Sequence, residues 1–557
     1  MKRDLVQLSR SSYDMVVVGG GIFGICAAWE AASRGLSVAL VEKGDFAGAT
    51  SANSFKIVHG GIRYLQHADI KRVRESCKER TTLLRIAPHL VRPLPIVMPT
   101  YGHGLQGKEI LNIGLLLYDL LTFDRNRGVN DPGRHIPRGR FISREECLDI
   151  FPGLNREGLT GAAIFYDGQM YNPTRLAISF LRSAVDAGAD VANYVQVTDF
   201  ISTDNRITGV RVEDTLNGNT FEIRGKVVIN AAGPWANWLL KHSMGFGLTP
   251  EPSFSRDACF VVRRKLLSEK YALAVPAKTR DPDALLSRGN RHLFIAPWRD
   301  YTLIGVWHKV FNDAPDKFVL TGQEVQKFID EVNEAYPRLE LTPNDVSIWN
   351  AGLILFGDSR QNAADLSFGK RSLIVDHAKD SNVEGLITLI GVRYTTARGI
   401  AEKALDMVFK KLGKRARASA TAVTPVHGGQ IECFDEYLRM AVESCPKALN
   451  PRLIPALIHN YGSAYTDVLK YIDQNPAWSE TLGESTVIEA EVVHAVREEM
   501  AQKLGDVIFR RTDLATGEHP GEAALQRCAY LMAAELGWDE GRVQRELSEV
   551  KTRFPEF

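Results

Sequence analysis

Three short segments carry residue types whose spacing suits redox chemistry. Val16-Val17-Val18-Gly19-Gly20-Gly21-Ile22-Phe23-Gly24 sets glycines in the G-x-G-x-x-G pattern directly after an apolar run. Gly19 permits a tight turn, Gly21 lets backbone approach a pyrophosphate, and Gly24 lets a helix pack closely on a strand. The helix opening at Ile22 then offers unpaired N–H groups and a positive dipole end to the phosphates. Glu42, roughly 20 residues on, stands where an acid accepts a hydrogen bond from a ribose 2′-OH. That acid disfavours a 2′-phosphate, which argues against NADP but leaves NAD and FAD open.

The second segment is His59-Gly60-Gly61-Ile62-Arg63. An unperturbed imidazole titrates at about pH 6.5, so a neutral one accepts a hydroxyl proton readily at working pH. Gly60 and Gly61 allow backbone to come close to a ligand. An isolated histidine is more often a hydrogen-bonded structural residue, and its neighbours alone leave both readings open. The third segment, Ile390-Gly391-Val392-Arg393-Tyr394-Thr395-Thr396, runs from an apolar strand through a glycine turn into a helix. Its helix N-terminus suits an isoalloxazine C2 carbonyl, where negative charge accumulates on reduction; an ordinary helix cap by Thr395 is the alternative. Arg63 and Arg393 have the forked donors that bind two phosphate oxygens at once, with a solvated ion pair as the alternative. Lys71, Arg72, Arg74, Lys78 and Arg80 interleave with Glu75 and Glu79 and read as a solvated helix face.

The elements that must position these residues follow from hydrophobic periodicity. A βαβ unit fills the first 42 residues, with strands at Met15 to Val18 and Leu36 to Val41 around a helix from Ile22 to Ser33. A helix is predicted from Asp69 to Ile86, stopped by Pro88, and another from Leu176 to Ala187; strands at Thr208 to Val212 and Val227 to Asn230 return to the same sheet. Ala258 to Val262, His292 to Pro297 and Leu303 to Trp307 suggest a mainly antiparallel layer assigned to substrate binding. Leu386 to Gly391 reads as a buried strand and Thr395 to Leu412 as a helix. Beyond about residue 414 the spacing of Val493, Val496, Met500 and Val507 implies a separate helical cap. The expected division is 1–412 for cofactor binding, with a substrate region interleaved at about 80–165 and 250–355, and 413–557 for the cap.

At 557 residues the chain exceeds the size of one hydrophobic core. A net charge of +1 gives no general attraction for nucleic acid, and no nucleic-acid partner is expected. Seven cysteines, odd in number and without a CxxC pair, argue against a disulfide framework or a zinc site, and no metal is expected. A reducing cytoplasm fits best. The opening MKRDLVQLSRSSYD lacks the apolar run and cleavage site of a signal peptide and reads as a short leader. Ile113 to Leu121 is too short to span a bilayer, which needs about 20 apolar residues. Lying between Lys108 and Arg125/Arg127, it is a candidate for peripheral contact with the inner face of a membrane, packing on the protein's own core being the alternative.

Gly48-Ala-Thr-Ser-Ala-Asn-Ser-Phe-Lys-Ile-Val-His59-Gly-Gly-Ile-Arg63-Tyr-Leu resembles the signature of the FAD-dependent glycerol-3-phosphate dehydrogenases and oxidases, within the D-amino-acid-oxidase-like superfamily. Asn230-Ala-Ala-Gly-Pro-Trp235, Ala296-Pro-Trp298, Gly391 to Arg398 and Arg497 to Thr512 extend the resemblance over nearly the whole chain. It implies an α/β fold: a glutathione-reductase-like FAD-binding Rossmann domain, an antiparallel β substrate domain and a C-terminal helical domain. It also implies a flavin that takes hydride from the carbinol carbon of glycerol 3-phosphate, giving dihydroxyacetone phosphate, with electrons passed to quinone or oxygen. His59 would be the base, with Arg63 and Arg393 on the anionic substrate. Thr50 and Ser51 would touch FAD, and Val197 would lie against the adenine through its backbone. Lys43, Ala231, Gly233 and Thr395 complete the expected cofactor contacts with Gly19, Gly21, Ile22, Phe23, Gly24, Glu42 and Gly391. The helical domain caps the fold or mediates a homodimer.

The chain departs from that family at three places. Arg393 stands where the family has lysine; Gly305-Val306-Trp307-His308 replaces its GTTD; and Asn350-Ala351-Gly352-Leu353-Ile354 replaces its SGVRP, removing an arginine used on substrate. Losing such a cation costs about 2–5 kcal/mol unless Arg291, Arg256 or His308 substitutes. A paralogue acting on another hydroxyl or amine, with Trp307 stacking on a larger group, is therefore the second expectation. A non-catalytic flavin-binding or tRNA-modifying scaffold is a third, although no basic and aromatic strip supports it.

Overall fold

Every residue of Ser12–Val18 after the first is buried, the pattern of a strand covered on both faces. It forms the centre of a parallel sheet. Val38–Val41 and then Asp190–Ala192 lie on one side, Thr220–Asn230 and Leu386–Ile390 on the other, and Leu373–Asp376 closes that edge antiparallel. Helices Ile22–Ser33, Pro173–Asp186 and Ala397–Lys411 cover one face, where Trp29 packs on Phe180 with ring centroids 5.3 Å apart. The other face is covered by an antiparallel meander of Val195–Thr203, Arg206–Asp214 and the long start of Thr220–Asn230. The computed structural model describes residues 1–102, 108–266, 269–280, 290–356 and 372–554, with all side chains in them except at 63, 66, 67, 108–110, 277–280, 290, 291 and 356.

The second sheet runs in the order Val346–Phe356, Ser253–Val262, Tyr301–Phe311, Asn290–Trp298, Ala272–Arg280, Val91–Tyr101, Leu159–Met170 and Ile57–Val58, with Arg140–Ile142 beside Leu159–Met170. It is antiparallel except where Ala272–Arg280 meets Val91–Tyr101. Val91–Tyr101 and Leu159–Met170, which pair over their whole length, were not among the expected strands. Pro93, Pro95 and Pro99 interrupt the first and Gly161 and Gly168 the second, and both residue types argue locally against a central strand. The helix Gly322–Ala335, opened by a Thr321/Glu324 capping box, seals the outer face, with Phe328 4.7 Å from the Phe260 ring. The N-terminal leader folds as a helix, Leu5–Arg10, capped by Asp4.

Beyond residue 414 the helices Phe434–Glu443, Ile454–Tyr461, Tyr465–Gln474, Glu489–Glu499, Glu522–Leu536 and Glu540–Lys551 build apolar cores of their own. Buried ion pairs fasten them to the first sheet. Arg510 and Arg511 both reach Asp45, Arg175 meets Glu499 at 2.6 Å, and the Tyr194 hydroxyl donates to Asp506 at 2.7 Å. Removing one partner of such a pair costs about 3–5 kcal/mol, because the other charge stays buried. Asp45 follows Glu42 closely, so the cap holds the loop that carries the candidate ribose acid. Among the described residues no helix is long and apolar enough to cross a membrane.

Candidate active site

A cavity of about 1040 Å³ lies between the two sheets. Its first end is built from backbone. Gly19 has φ +104°, and a Cβ there would sit 2.6 Å from the Ala231 carbonyl oxygen; at Gly24 a Cβ would sit 1.9 Å from the Gly19 carbonyl oxygen. Only glycine fits either place. The Ile22–Ser33 helix starts at Gly21 without a side-chain cap of its own, and Ser51 supplies one, its hydroxyl accepting from the Ile22 N–H at 3.0 Å. Glu42 accepts from the N–H groups of Gly20 at 2.6 Å and Gly44 at 3.0 Å. Burial raises its carboxyl pKa against the pull of those two bonds. Val197 and Gly233 line this end beside Ala231. The Lys43 ammonium lies 3.9 Å from the Trp235 ring centroid, and Asp316 accepts from the Trp235 indole at 2.8 Å, forming a strap over the cavity edge.

The late turn closes on the early one. A Cβ at Gly391 would fall 1.9 Å from Cε2 of Phe23, which sits in the first turn of the Ile22–Ser33 helix. Thr395 caps neither its own turn nor the Ala397–Lys411 helix; its hydroxyl accepts from the His59 N–H at 3.1 Å. Thr50, on the opposite wall, donates to the Leu353 carbonyl at 3.1 Å.

His59 lines the second end with 42% of its side chain exposed. Its Nδ1 lies 3.3 Å from Asp167 Oδ2, while Asp167 Oδ1 accepts from the Gly60 N–H at 2.6 Å. Arg80, fully buried, stands behind at 3.3 Å from Asp167 Oδ1 and donates to the Tyr166 carbonyl at 2.6 Å. Burial pushes the Asp167 carboxyl up, but the hydrogen bond and electrostatic pull of His59, with Arg80 and the Gly60 N–H, outweigh it and hold the group below the usual carboxylate range. The Tyr118 hydroxyl donates to the Gly60 carbonyl at 3.0 Å, so the peptide next to His59 is pinned on both sides.

Arg393 lines the same end, donating to Ser76 at 2.8 Å with its guanidinium 4.9 Å from the Tyr64 ring centroid. The Arg72 guanidinium lies 4.6 Å from that centroid. The reading of the 71–80 run as a solvated face is corrected here: Arg72 and Arg80 are buried, while Lys71 and Lys78 are exposed. Positions 72, 76 and 80 repeat every four residues on helix Ile70–Ile86 and share the face turned to the site. His308 points into the cavity with Nδ1 2.8 Å from Asp257. Trp307, the next residue along the strand, faces away and stacks on Phe328 with centroids 5.9 Å apart, which removes it from the cavity wall. Arg256 is drawn off by Glu324 and the Val319 carbonyl. Arg63 and Arg291 belong to described elements, but their side chains lie outside the described residues.

The sequence reading missed Asp167, Arg80, Arg72, Ser76 and Asp316. The four-residue repeat marked three of these; Asp167 lies 108 positions from His59 with no local signal.

The donor set at the first end fits a dinucleotide, and the cavity of about 1040 Å³ reaches from it past Phe23 and Gly391 to His59. These are the marks of a flavin-dependent oxidoreductase. Residues 14–402 match the family described as FAD dependent oxidoreductase, and 419–543 match the C-terminal domain of alpha-glycerophosphate oxidase. The chain belongs to the FAD dependent oxidoreductase family. It is 31% identical to the glycerol-3-phosphate dehydrogenase of Synechocystis sp., over 98% of this chain and 97% of that one. It is 32% identical to the mitochondrial glycerol-3-phosphate dehydrogenase of Rattus norvegicus, over 98% of this chain and 73% of the relative. Its fold is shared by the solved glycerol-3-phosphate dehydrogenase of Bacillus halodurans complexed with FAD, at a TM-score of 0.76 and 24% identity, covering 98% and 95% of the two chains.

Proposed function

We propose that this enzyme oxidises sn-glycerol 3-phosphate to dihydroxyacetone phosphate and passes the electrons to a quinone. The observation that carries the reading is the convergence, at one end of one cavity, of His59 backed by Asp167 with the two guanidinium groups of Arg72 and Arg393. The early glycine turn, Glu42 and the Gly391 turn would hold FAD, which when bound would supply a hydride acceptor beside the carbinol carbon. His59 takes the hydroxyl proton as the carbonyl forms. Arg393 and Arg72 attract the phosphate, Arg72 adding a cation to a site in which Asn350-Ala351-Gly352-Leu353-Ile354 lacks the arginine that the resemblance leads one to expect. Tyr64 and Phe55 keep water from the carbinol end.

Mixing the purified flavoprotein anaerobically with glycerol 3-phosphate should bleach the flavin promptly, while plain glycerol should not. Bleaching by a non-phosphorylated polyol or an amine instead would favour the paralogue reading, which the aliphatic wall at Leu353 and Ile354 and the His308–Asp257 pair support.

The quinone assignment rests on the helix Lys108–Leu121. Its Leu115 and Tyr118 face the core, while Ile113, Leu116, Leu117 and Leu120, with Phe123 just beyond, are 45–80% exposed. Lys71 and Lys78 are exposed on the adjoining helix. An apolar stripe beside cations suits the interface of an anionic bilayer, where a quinone is dissolved. Replacing Leu116, Leu120 and Phe123 with Ser should abolish flotation with anionic liposomes and leave bleaching by glycerol 3-phosphate intact. Unchanged flotation, together with rapid reoxidation by oxygen, would make oxygen the acceptor.

A further inference from the structure

The surroundings of His59 fix which of its nitrogens can accept a proton. We infer that Asp167 is a positioning residue that holds His59 in the Nδ1–H tautomer and so keeps Nε2 bare toward the substrate hydroxyl. The inference rests on the reading of His59 as the base proposed above.

Four observations carry it. Asp167 is 4% exposed on the rigid strand Leu159–Met170, which is paired along its length with Val91–Tyr101. Its Oδ2 faces His59 Nδ1 at 3.3 Å, and its Oδ1 is taken by the Gly60 N–H at 2.6 Å and Arg80 at 3.3 Å. A carboxylate only accepts, so the ring nitrogen that faces it must carry the hydrogen, and in the neutral ring the other is then the lone-pair nitrogen. Arg80 secures the charge of Asp167: its guanidinium is fully buried and also touches Tyr166 and Tyr118. Nor can the peptide beside His59 slide away. A Cβ at Gly60 would meet Arg80 Nη1 at 2.0 Å and the Tyr118 hydroxyl at 2.4 Å, and that hydroxyl donates to the Gly60 carbonyl.

The arrangement predicts what an isosteric change would do. In Asp167→Asn the amide has one acceptor and one donor end. The Gly60 N–H and Arg80 are both donors, so the amide oxygen must face them and its NH2 must face His59. The imidazole would then accept at Nδ1 and carry its hydrogen on Nε2, unable to take the substrate proton.

The test combines two readouts on the FAD-loaded protein. With 15N-labelled histidine, nitrogen NMR at alkaline pH should show wild-type His59, assigned by its loss in His59→Gln, as the Nδ1–H tautomer, and Asp167→Asn should convert it to Nε2–H. Flavin reduction by glycerol 3-phosphate should slow roughly 10²–10⁴-fold in Asp167→Asn, with KM changed far less than kcat. An Nε2–H tautomer in the wild type, or a variant that is reduced at the wild-type rate, would overturn the inference. Should Asp167→Asn fail to fold, the wild-type tautomer decides alone. A wild-type Nδ1–H tautomer in a protein that glycerol 3-phosphate does not bleach would sink the proposed substrate and leave the positioning role standing.

Discussion

The two ends of the cavity are made differently. The end proposed for the cofactor is backbone: glycine turns at 19–24 and 391, a helix N-terminus, and one acid at the end of a strand. The proposed substrate end is side chain: His59 from a loop, Asp167 from a strand 108 residues away, Arg80 and Arg72 from one helix, and Arg393 from a segment far along the chain. Backbone chemistry is spelled by neighbouring residues, because a turn and the helix after it are local. Side-chain chemistry is assembled by the fold, and a single substitution there changes a reaction without changing a motif.

Four changes would sharpen or break that contrast. The largest effect is expected from Gly24→Val, which forces side-chain atoms into the space 1.9 Å from the Gly19 carbonyl oxygen. It should yield protein without FAD, visible as loss of the flavin absorbance that co-elutes on gel filtration. A variant retaining stoichiometric flavin would show that the early turn does not hold it. His59→Gln should keep FAD and lower the rate of flavin reduction by about 10²–10⁴-fold, measured by anaerobic stopped flow. Arg393→Met should come next, raising KM for glycerol 3-phosphate by about tenfold or more with a smaller change in kcat; an unchanged KM would move the phosphate elsewhere.

The smallest effect is a control in the cap that should disturb neither end. Glu491 is buried, and its carboxyl is pushed up from 4.5 to about 8 chiefly by burial, with Asp513 adding to it. A carboxyl whose folded pKa is raised contributes stability that is complete below the unfolded value and is lost as pH rises through the folded one. Stability should therefore fall between pH 4.5 and about 8 on this group's account. Glu491→Gln should flatten that fall by on the order of 1 kcal/mol per pH unit in that window, read as Tm against pH, with bleaching kinetics unchanged. Equal pH slopes in variant and wild type would place the charge elsewhere.

Legibility from sequence followed the same division. The βαβ unit, Glu42, the late glycine turn and the helical character beyond residue 414 could be read because each depends on periodicity or turn chemistry within about 20 residues. The strands Val91–Tyr101 and Leu159–Met170 were hidden by their prolines and glycines, and with them Asp167, which sits on the second. Charge alone makes the basic run at 71–80 read as a solvated face, whereas its phase, the four-residue repeat at 72, 76 and 80, turns these side chains inward. Trp307 was offered as a stacking residue from its type alone, whereas strand alternation gives the cavity to Val306 and His308 and turns Trp307 to Phe328.

In the proposed reaction a flavin bound on the two glycine turns and His59 would act on one carbinol carbon. Anaerobic single-turnover mixing with sn-glycerol 3-phosphate deuterated at that carbon tests it most directly. Bleaching should be slowed by deuterium and suppressed in His59→Gln. Bleaching indifferent to both, or an oxidised flavin that glycerol 3-phosphate leaves untouched, would contradict it.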